Sequence, residues 1–283
     1  TNDSLMTQVV NYYEGKREKE RLFKAYYYLG RIQYNAGAYA ASMLSYTKAE
    51  QLIDKIDDEF IKGLLYAQLG MLHQKYYDYP RSLDAFNTAA EHYELAGKTA
   101  HKYFAKLNIG QVYQELKDYT IAEDLLSEVM SWSYENNYVQ LCQEALEFLI
   151  TLYDETDQET KIASITNSIY ADYCGSSLQM IQIRAFELSK QNNASSINML
   201  NEADGQLRHS VDTASHYYYK YRVQKQLGNY ADALYNHEQM LRKQDAITAT
   251  ALKLPLLSIK NDYLQAENRY MQLSVKMHKT QKY

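Results

Sequence analysis

Lys24–Gln51 reads K-A-Y-Y-Y-L-G-R-I-Q-Y-N-A-G-A-Y-A-A-S-M-L-S-Y-T-K-A-E-Q. Apolar residues recur with helical spacing on both sides of Gly37, which predicts two helices joined by a tight turn at that glycine. Leu29-Gly30 falls in the first helix, Tyr39 opens the second, and Ser42, Tyr46 and Ala49 share one face of it. The arrangement returns with Tyr66, Leu69-Gly70, Tyr79, Ser82, Phe86 and Ala89, and again with Ile109-Gly110, Tyr113, Tyr119, Ala122, Leu126 and Val129. Gly30, Gly70 and Gly110 are forty residues apart, as are Tyr39, Tyr79 and Tyr119. A residue without a side chain in the first helix lets the second approach closely. The small residue at 42, 82 and 122 does the same from the other side, and the large one at 46, 86 and 126 fills the gap to the next repeat. The period predicts an all-α array of helix pairs.

Outward from this stretch, residues 4–14 read as one amphipathic helix with Gly15 as its stop, and residues 16–21 as a solvated run of mixed charge. Asp78 and Asp118 stand where an N-cap carboxylate belongs, Pro80 lies in a first turn, and Gly97 marks a helix end. A fourth unit keeps the phase at Leu149 and Tyr153 but carries Ile150 in place of glycine. A fifth runs over 180–203, with Ser196 and Leu200 in the packing positions. In a sixth, Gly228, Tyr230 and Ala233 take the places of Gly37, Tyr39 and Ser42. Turns are expected at 174–177 and 204–208. The chain therefore divides into an N-terminal helix and turn over 1–21, a repeat array over 22–244 and a C-terminal helix over 245–283. In that last segment Pro255 kinks or restarts the helix. Beyond it Leu256, Ile259, Tyr263, Ala266, Tyr270, Leu273 and Met277 follow alternating steps of three and four. That seam reads either as a stripe packed on the last repeat or as a self-association surface.

Composition narrows the function. Two prolines and ten glycines in 283 residues agree with helices rather than an all-β fold. Thirty tyrosines against six phenylalanines suit a thin structure in which rings pack while hydroxyls reach an edge. The net charge of −5, with both signs interspersed, leaves no basic stripe for nucleic acid. Cys142 and Cys174 have no metal-type spacing and read as core residues, or as a disulfide in an oxidising compartment. No apolar run is long enough to span a membrane. The start at Thr1 reads as a processed or trimmed chain. Nucleotide-loop, nucleophile-elbow and metalloprotease motifs are absent from the sequence, and Asp212 with His216 supplies two metal-ligating groups where four are needed. The expectation is a non-catalytic protein without a cofactor or metal.

The Leu-Gly, Tyr, Ser or Ala, Tyr or Phe, Ala series resembles the tetratricopeptide repeat over about 22–132. The resemblance implies a right-handed superhelical solenoid of about six helix pairs, with the first helices lining a concave groove. By phase, groove positions are Tyr27, Arg31 and Tyr34 in the first repeat, Ala67, Met71 and Gln74 in the second, and Leu107, Gln111 and Gln114 in the third. Tyr218, Arg222 and Lys225 follow in the sixth. The ligand-binding set is thus Tyr27, Arg31, Tyr34, Met71, Gln74, Gln111 and Gln114, whose rings, amides and arginine suit an extended peptide or protein segment. The co-chaperone carboxylate clamp falls on Tyr27, Arg31, Gln68, Phe104 and Asn108, where only Arg31 is basic, so that activity is not expected. The phrase A-Y-Y-Y-L-G-R, the long period and the basic end at Lys276, Lys279 and Lys282 resemble bacterial membrane-anchored regulators with an envelope-exposed repeat array. That implies a periplasm-facing sensor whose membrane contact is made by a segment outside this chain. Peptide-pheromone receptors with forty-residue units are a second resemblance and imply a cytoplasmic protein. A passive scaffold is the competing class.

Overall fold

The computed structural model describes residues 2–174, 177–207 and 210–252. Among them are α-helices and two short 3-10 turns, and no strand. The helices are α1 (Asn2–Glu14), α2 (Lys19–Asn35), α3 (Tyr39–Glu50), α4 (Glu59–Lys75), α5 (Tyr79–Leu95), α6 (Thr99–Glu115), α7 (Tyr119–Glu135) and α8 (Val139–Glu155). There follow α9 (Glu159–Thr166), α10 (Ile169–Cys174), α11 (Leu178–Ser189), α12 (Ser195–Ala203), α13 (Ser210–Gln226) and α14 (Tyr230–Leu252). They pack as antiparallel neighbours: α2 on α3, α4 on α5, α7 on α8, α11 on α12 and α13 on α14. The expected all-α helix-pair array is the observed fold. The described residues form two compact units, one up to Ala105 and one from Lys106. The seam at Leu256, Ile259, Tyr263, Tyr270 and Leu273 lies outside the described residues.

The forty-residue period consists of two equal halves. From α4 to α8 every helix has 17 residues, and successive helices begin twenty residues apart. The three-residue joint is the same each time. Its middle residue is left-handed, with φ of 58° at Tyr77, 66° at Gly97, 63° at Lys117 and Asn137, and 54° at Asp157. The next amide then reaches back to the last turn, as in Asp78 N–His73 O (3.0 Å), Lys98 N–Tyr93 O (2.8 Å) and Asp118 N–Tyr113 O (2.9 Å). These six-to-one bonds satisfy carbonyls that the helix end would leave unpaired. Gly37 (75°) and Gly228 (78°) form the same joint outside the run.

A left-handed conformation costs an L side chain about 1 kcal/mol or more relative to glycine. Tyr77 is exposed, so Tyr77→Gly is expected to stabilise the protein by about 0.5–1 kcal/mol after the entropy it adds to the unfolded chain. A urea midpoint that moves down instead would show that the Tyr77 ring, edge-on to Tyr79 at 6.2 Å, contributes more than the backbone loses.

Within each pair the glycine and the large residue meet directly. A Cβ placed at Gly30 would lie 2.4 Å from the Tyr46 ring, at Gly70 2.7 Å from the Phe86 ring, and at Gly110 3.0 Å from Leu126. Tyr46, Phe86 and Leu126 are therefore seated over the glycine of their own first helix. Tyr46 also reaches the next repeat, through its hydroxyl to Gln68 of α4 at 3.1 Å. The small residue at 42 and 82 adds a bond that spacing alone did not reveal. Ser42 Oγ donates to Gly30 O (2.8 Å) and Ser82 Oγ to Gly70 O (2.9 Å). Cys142 Sγ makes the equivalent weaker contact to Met130 O at 3.7 Å.

One cap differs from expectation. Asp118 accepts from Ile121 N at 3.5 Å, but the Asp78 carboxylate makes no cap bond. It turns to Arg81 (2.9 Å) and His73 (3.4 Å) instead. Asp58, unmarked by the repeat phase, caps α4 through Ile61 N at 3.2 Å. Cys142 and Cys174 are both buried free thiols. A hydrogen bond from Cys174 holds the Cys142 thiol below its ordinary value, and the Cys174 proton is correspondingly harder to remove.

Candidate binding clefts

The residues expected to line a groove separate into two groups. In the first unit Tyr27 is 1% exposed, its ring 6.2 Å from that of Tyr46, so it belongs to the core. This corrects its assignment as a ligand contact: it lies one turn before Gly30 and faces α3. Arg31 is exposed and lies 5.9 Å from the Tyr27 ring centroid. Tyr34 is half-buried against Tyr39, and Met71 accepts a weak bond from Gln68 at 3.6 Å. Gln74 is half-buried.

In the second unit, Gln111 and Gln114 stand side by side on a cleft of about 610 Å³. Its walls come from α6, α8 and the first turn of α11. The carboxylates of Glu144, Glu147 and Glu155 line it with Phe148, Thr151 and Gln179, and Lys117 is the cation among its lining residues. Gln179 fixes the α11 wall, because its amide donates to Glu147 O (2.9 Å) and Thr151 Oγ1 (2.6 Å) of α8. Gln114 is 7% exposed. Its Nε2 is directed at Glu155 Oε2 at 3.4 Å, while its Oε1 has no hydrogen-bond partner. Burial raises the Glu144 carboxyl above its ordinary value, and Glu147 adds to the effect. Burial does the same to Glu155, with Glu115 and Asp154 adding to it. The first cleft is thus rich in acceptors and negative.

A second cleft of about 400 Å³ is lined by Phe186 of α11, Tyr218, Tyr221, Arg222 and Lys225 of α13, and Tyr230 of α14. Three of these, Tyr218, Arg222 and Lys225, are the groove positions read for the sixth repeat. Arg222 is locked: Nη1 lies 2.5 and 2.6 Å from the two carboxylate oxygens of Asp154, and the guanidinium is 3.8 Å from the Phe186 ring centroid. Lys225 stands over Tyr221 at 5.6 Å. Ring faces beside cations suit an aromatic or carboxylate group. Gln179 and Phe186 lie on one face of α11, seven residues apart, so the two clefts are separated by about 10 Å along that helix. Glu144, Glu147, Phe148 and Gln179 were not anticipated. Ile150 replaces the phase-marking glycine in α8, which obscured that the fourth unit contributes a wall.

His216 is not placed as a metal ligand. Among the described residues no group of three His, Cys, Asp or Glu side chains is arranged to hold a metal ion. The ring is 1% exposed. Its Nε2–H donates to Asp204 Oδ1 at 2.8 Å, and Nδ1 accepts from Gln182 Nε2 at 3.3 Å, which holds the neutral tautomer. Lys220 shares the same carboxylate at 2.8 and 2.9 Å. Burial and Lys220 push the His216 pKa below its ordinary value. The unfolded chain therefore takes up a proton before the folded one does. The stability from this ring is complete above about pH 6.5 and is lost as the pH falls below that value. His101, lowered by burial and by Lys98, acts in the same direction. The melting temperature should drop more between pH 7.5 and 5.5 in the wild type than in His216→Gln; equal drops would remove His216 from the account.

No protein-family model matches the chain, and no curated protein matches it. Solved structures do. The apo form of RapI superposes with a TM-score of 0.57 at 12% identity, covering 86% of this chain and 99% of that one. BtubC (BKLC) from P. vanneervenii gives 0.52 at 14% identity, covering 87% and 91%. A Rap protein complexed with competence and sporulation factor gives 0.45 at 13% identity, covering 86% and 81%, which is too low to carry an argument. The first two likenesses show the fold alone.

Proposed function

We propose that the chain is a non-catalytic recognition module that holds a peptide or protein segment across the clefts of its second unit, as the sensing part of a bacterial regulatory protein. The carrying observation is the pair of open clefts of contrasting chemistry on one face of α11. Their separation of about 10 Å corresponds to roughly three residues of extended chain. A segment laid along α11 would place one side chain in each. Amides at Gln111 and Gln114 are suited to the backbone of such a segment. The envelope location rests on the resemblance to membrane-anchored regulators, and fractionation of cells making the full-length protein tests it.

Selection from a displayed random hexapeptide library should yield sequences that bind the purified chain. Their affinity should fall at least fivefold in Gln111→Ala and Lys225→Ala, variants in two different clefts. Sequences whose affinity is unchanged by both would place recognition elsewhere. The scaffold reading has one observation in its favour: Tyr230, Leu234, Tyr235 and Leu241 of α14 are exposed. A partner captured by that surface would lose affinity in Leu234→Asp and keep it in the cleft variants.

A further inference from the structure

We infer that the cleft between α6, α8 and α11 is a receptor for a guanidinium group, supplied, on the peptide-recognition reading above, by an arginine of the bound segment. Three features converge on a cationic donor of this size. The first is Gln114, a buried residue of the cleft lining whose Oε1 has no hydrogen-bond partner. A buried acceptor without a donor costs free energy that an incoming N–H recovers. The second is the carboxylate set. Among the described residues Glu144, Glu147 and Glu155 form no ion pair; the bonds they receive come from the amides of Gln140 (2.9 Å), Gln143 (3.2 Å) and Gln114 (3.4 Å). Amides leave the negative charge in place; burial is the main cause of the raised Glu144 and Glu155 carboxyls, with Glu147 adding to the first and Glu115 and Asp154 to the second. The third is Phe148 in the lining, which offers a ring for a flat cation.

The dispersed acceptors distinguish a guanidinium from a metal ion. No three acidic groups are arranged to coordinate one ion among the described residues. A cleft of about 610 Å³ is also far larger than an ion needs. A guanidinium carries five N–H donors in a flat fork, so it can serve a carboxylate pair and an amide oxygen together while stacking on a ring. An ammonium donates in three directions from one point and serves fewer of them. Lys117, at the joint beside the cleft, disfavours a second cation near the α6 end. The preference is therefore for a single arginine.

Two peptide pools test this on the intact chain by fluorescence anisotropy. One pool carries arginine at a fixed central position; the other carries citrulline, which keeps the shape and loses the charge. The arginine pool should bind at least tenfold tighter. Glu147→Gln/Glu155→Gln should erase that preference, bringing the arginine pool to the affinity of the citrulline pool. Gln114→Leu should reduce the preference without reversing it. These variants should fold, since the Gln exchanges relieve repulsion, and circular dichroism verifies it. Equal binding of the two pools to wild type would overturn the guanidinium assignment and leave peptide recognition standing. Binding of neither pool would sink the peptide reading, and agmatine, a free guanidinium, then decides the rest. Thermal protection by agmatine in wild type and not in the double variant would keep the assignment with a small-molecule source. No protection would end it.

Discussion

Urea unfolding of Phe86→Ala is expected to show a loss of about 3–5 kcal/mol, among the largest for a single side chain in the first unit. Phe86 is fully buried, and its ring lies against the bare Cα of Gly70. The converse change, Gly70→Ala, puts a methyl 2.7 Å from two ring carbons and should cost about 1–3 kcal/mol. The two losses should not add. With Phe86→Leu already in place, Gly70→Ala should cost much less, because the smaller side chain can shift away from the methyl. Additive losses would mean that the ring and the glycine are not one packing unit. The pairs Gly30–Tyr46 and Gly110–Leu126 should follow in order of closeness, with 2.4 Å the most severe and 3.0 Å the mildest.

Arg222→Met should be almost as costly, about 3 kcal/mol, for a different reason. The Asp154 and Arg222 side chains are 15% and 20% exposed. Without its partner, Asp154 keeps a charge that little solvent reaches. Asp154→Asn/Arg222→Met should recover part of the loss, since no charge remains to be compensated. A cycle without coupling would show that solvent already screens the pair. The same variant separates structure from recognition. Methionine preserves much of the packing on Phe186, so ligand affinity lost beyond the stability effect reports on the second cleft.

The array could be read from sequence where its packing needs glycine. Gly30, Gly70 and Gly110 recur because the facing side chain, a ring at the first two and Leu126 at the third, leaves no room for a Cβ, and Gly37, Gly97 and Gly228 occupy left-handed turns. At Tyr77 and Lys117 the same turn is made by residues with no such signature, and at Asn137 and Asp157 by types that adopt it less readily than glycine, so the twenty-residue half-period was hidden inside the forty. The middle of the chain was obscure because its helices are short. Between α9 and α10 the side chains of Thr166, Asn167 and Ser168 bond back to carbonyls of the preceding turn, and the helix is divided there. The first cleft was half legible. Gln111 and Gln114 follow from phase, whereas the acidic wall of α8 requires knowing which way Glu144 and Glu147 point.

The joint between helices has a consequence for how such a chain can change length. Tyr77-Asp78-Tyr79 and Lys117-Asp118-Tyr119 present the same turn followed by the same Asp-Tyr pair. Excising residues 79–118 would bring Asp78 against Tyr119 and recreate an intact joint, with every later helix still in step. A cut of any length that is not a multiple of forty would part a glycine from the large residue that covers it. In genetic terms the gene has a reading frame above the codon. Insertions and deletions of whole helix pairs are tolerated edits, while those of a few residues inside a helix act as frameshifts of packing.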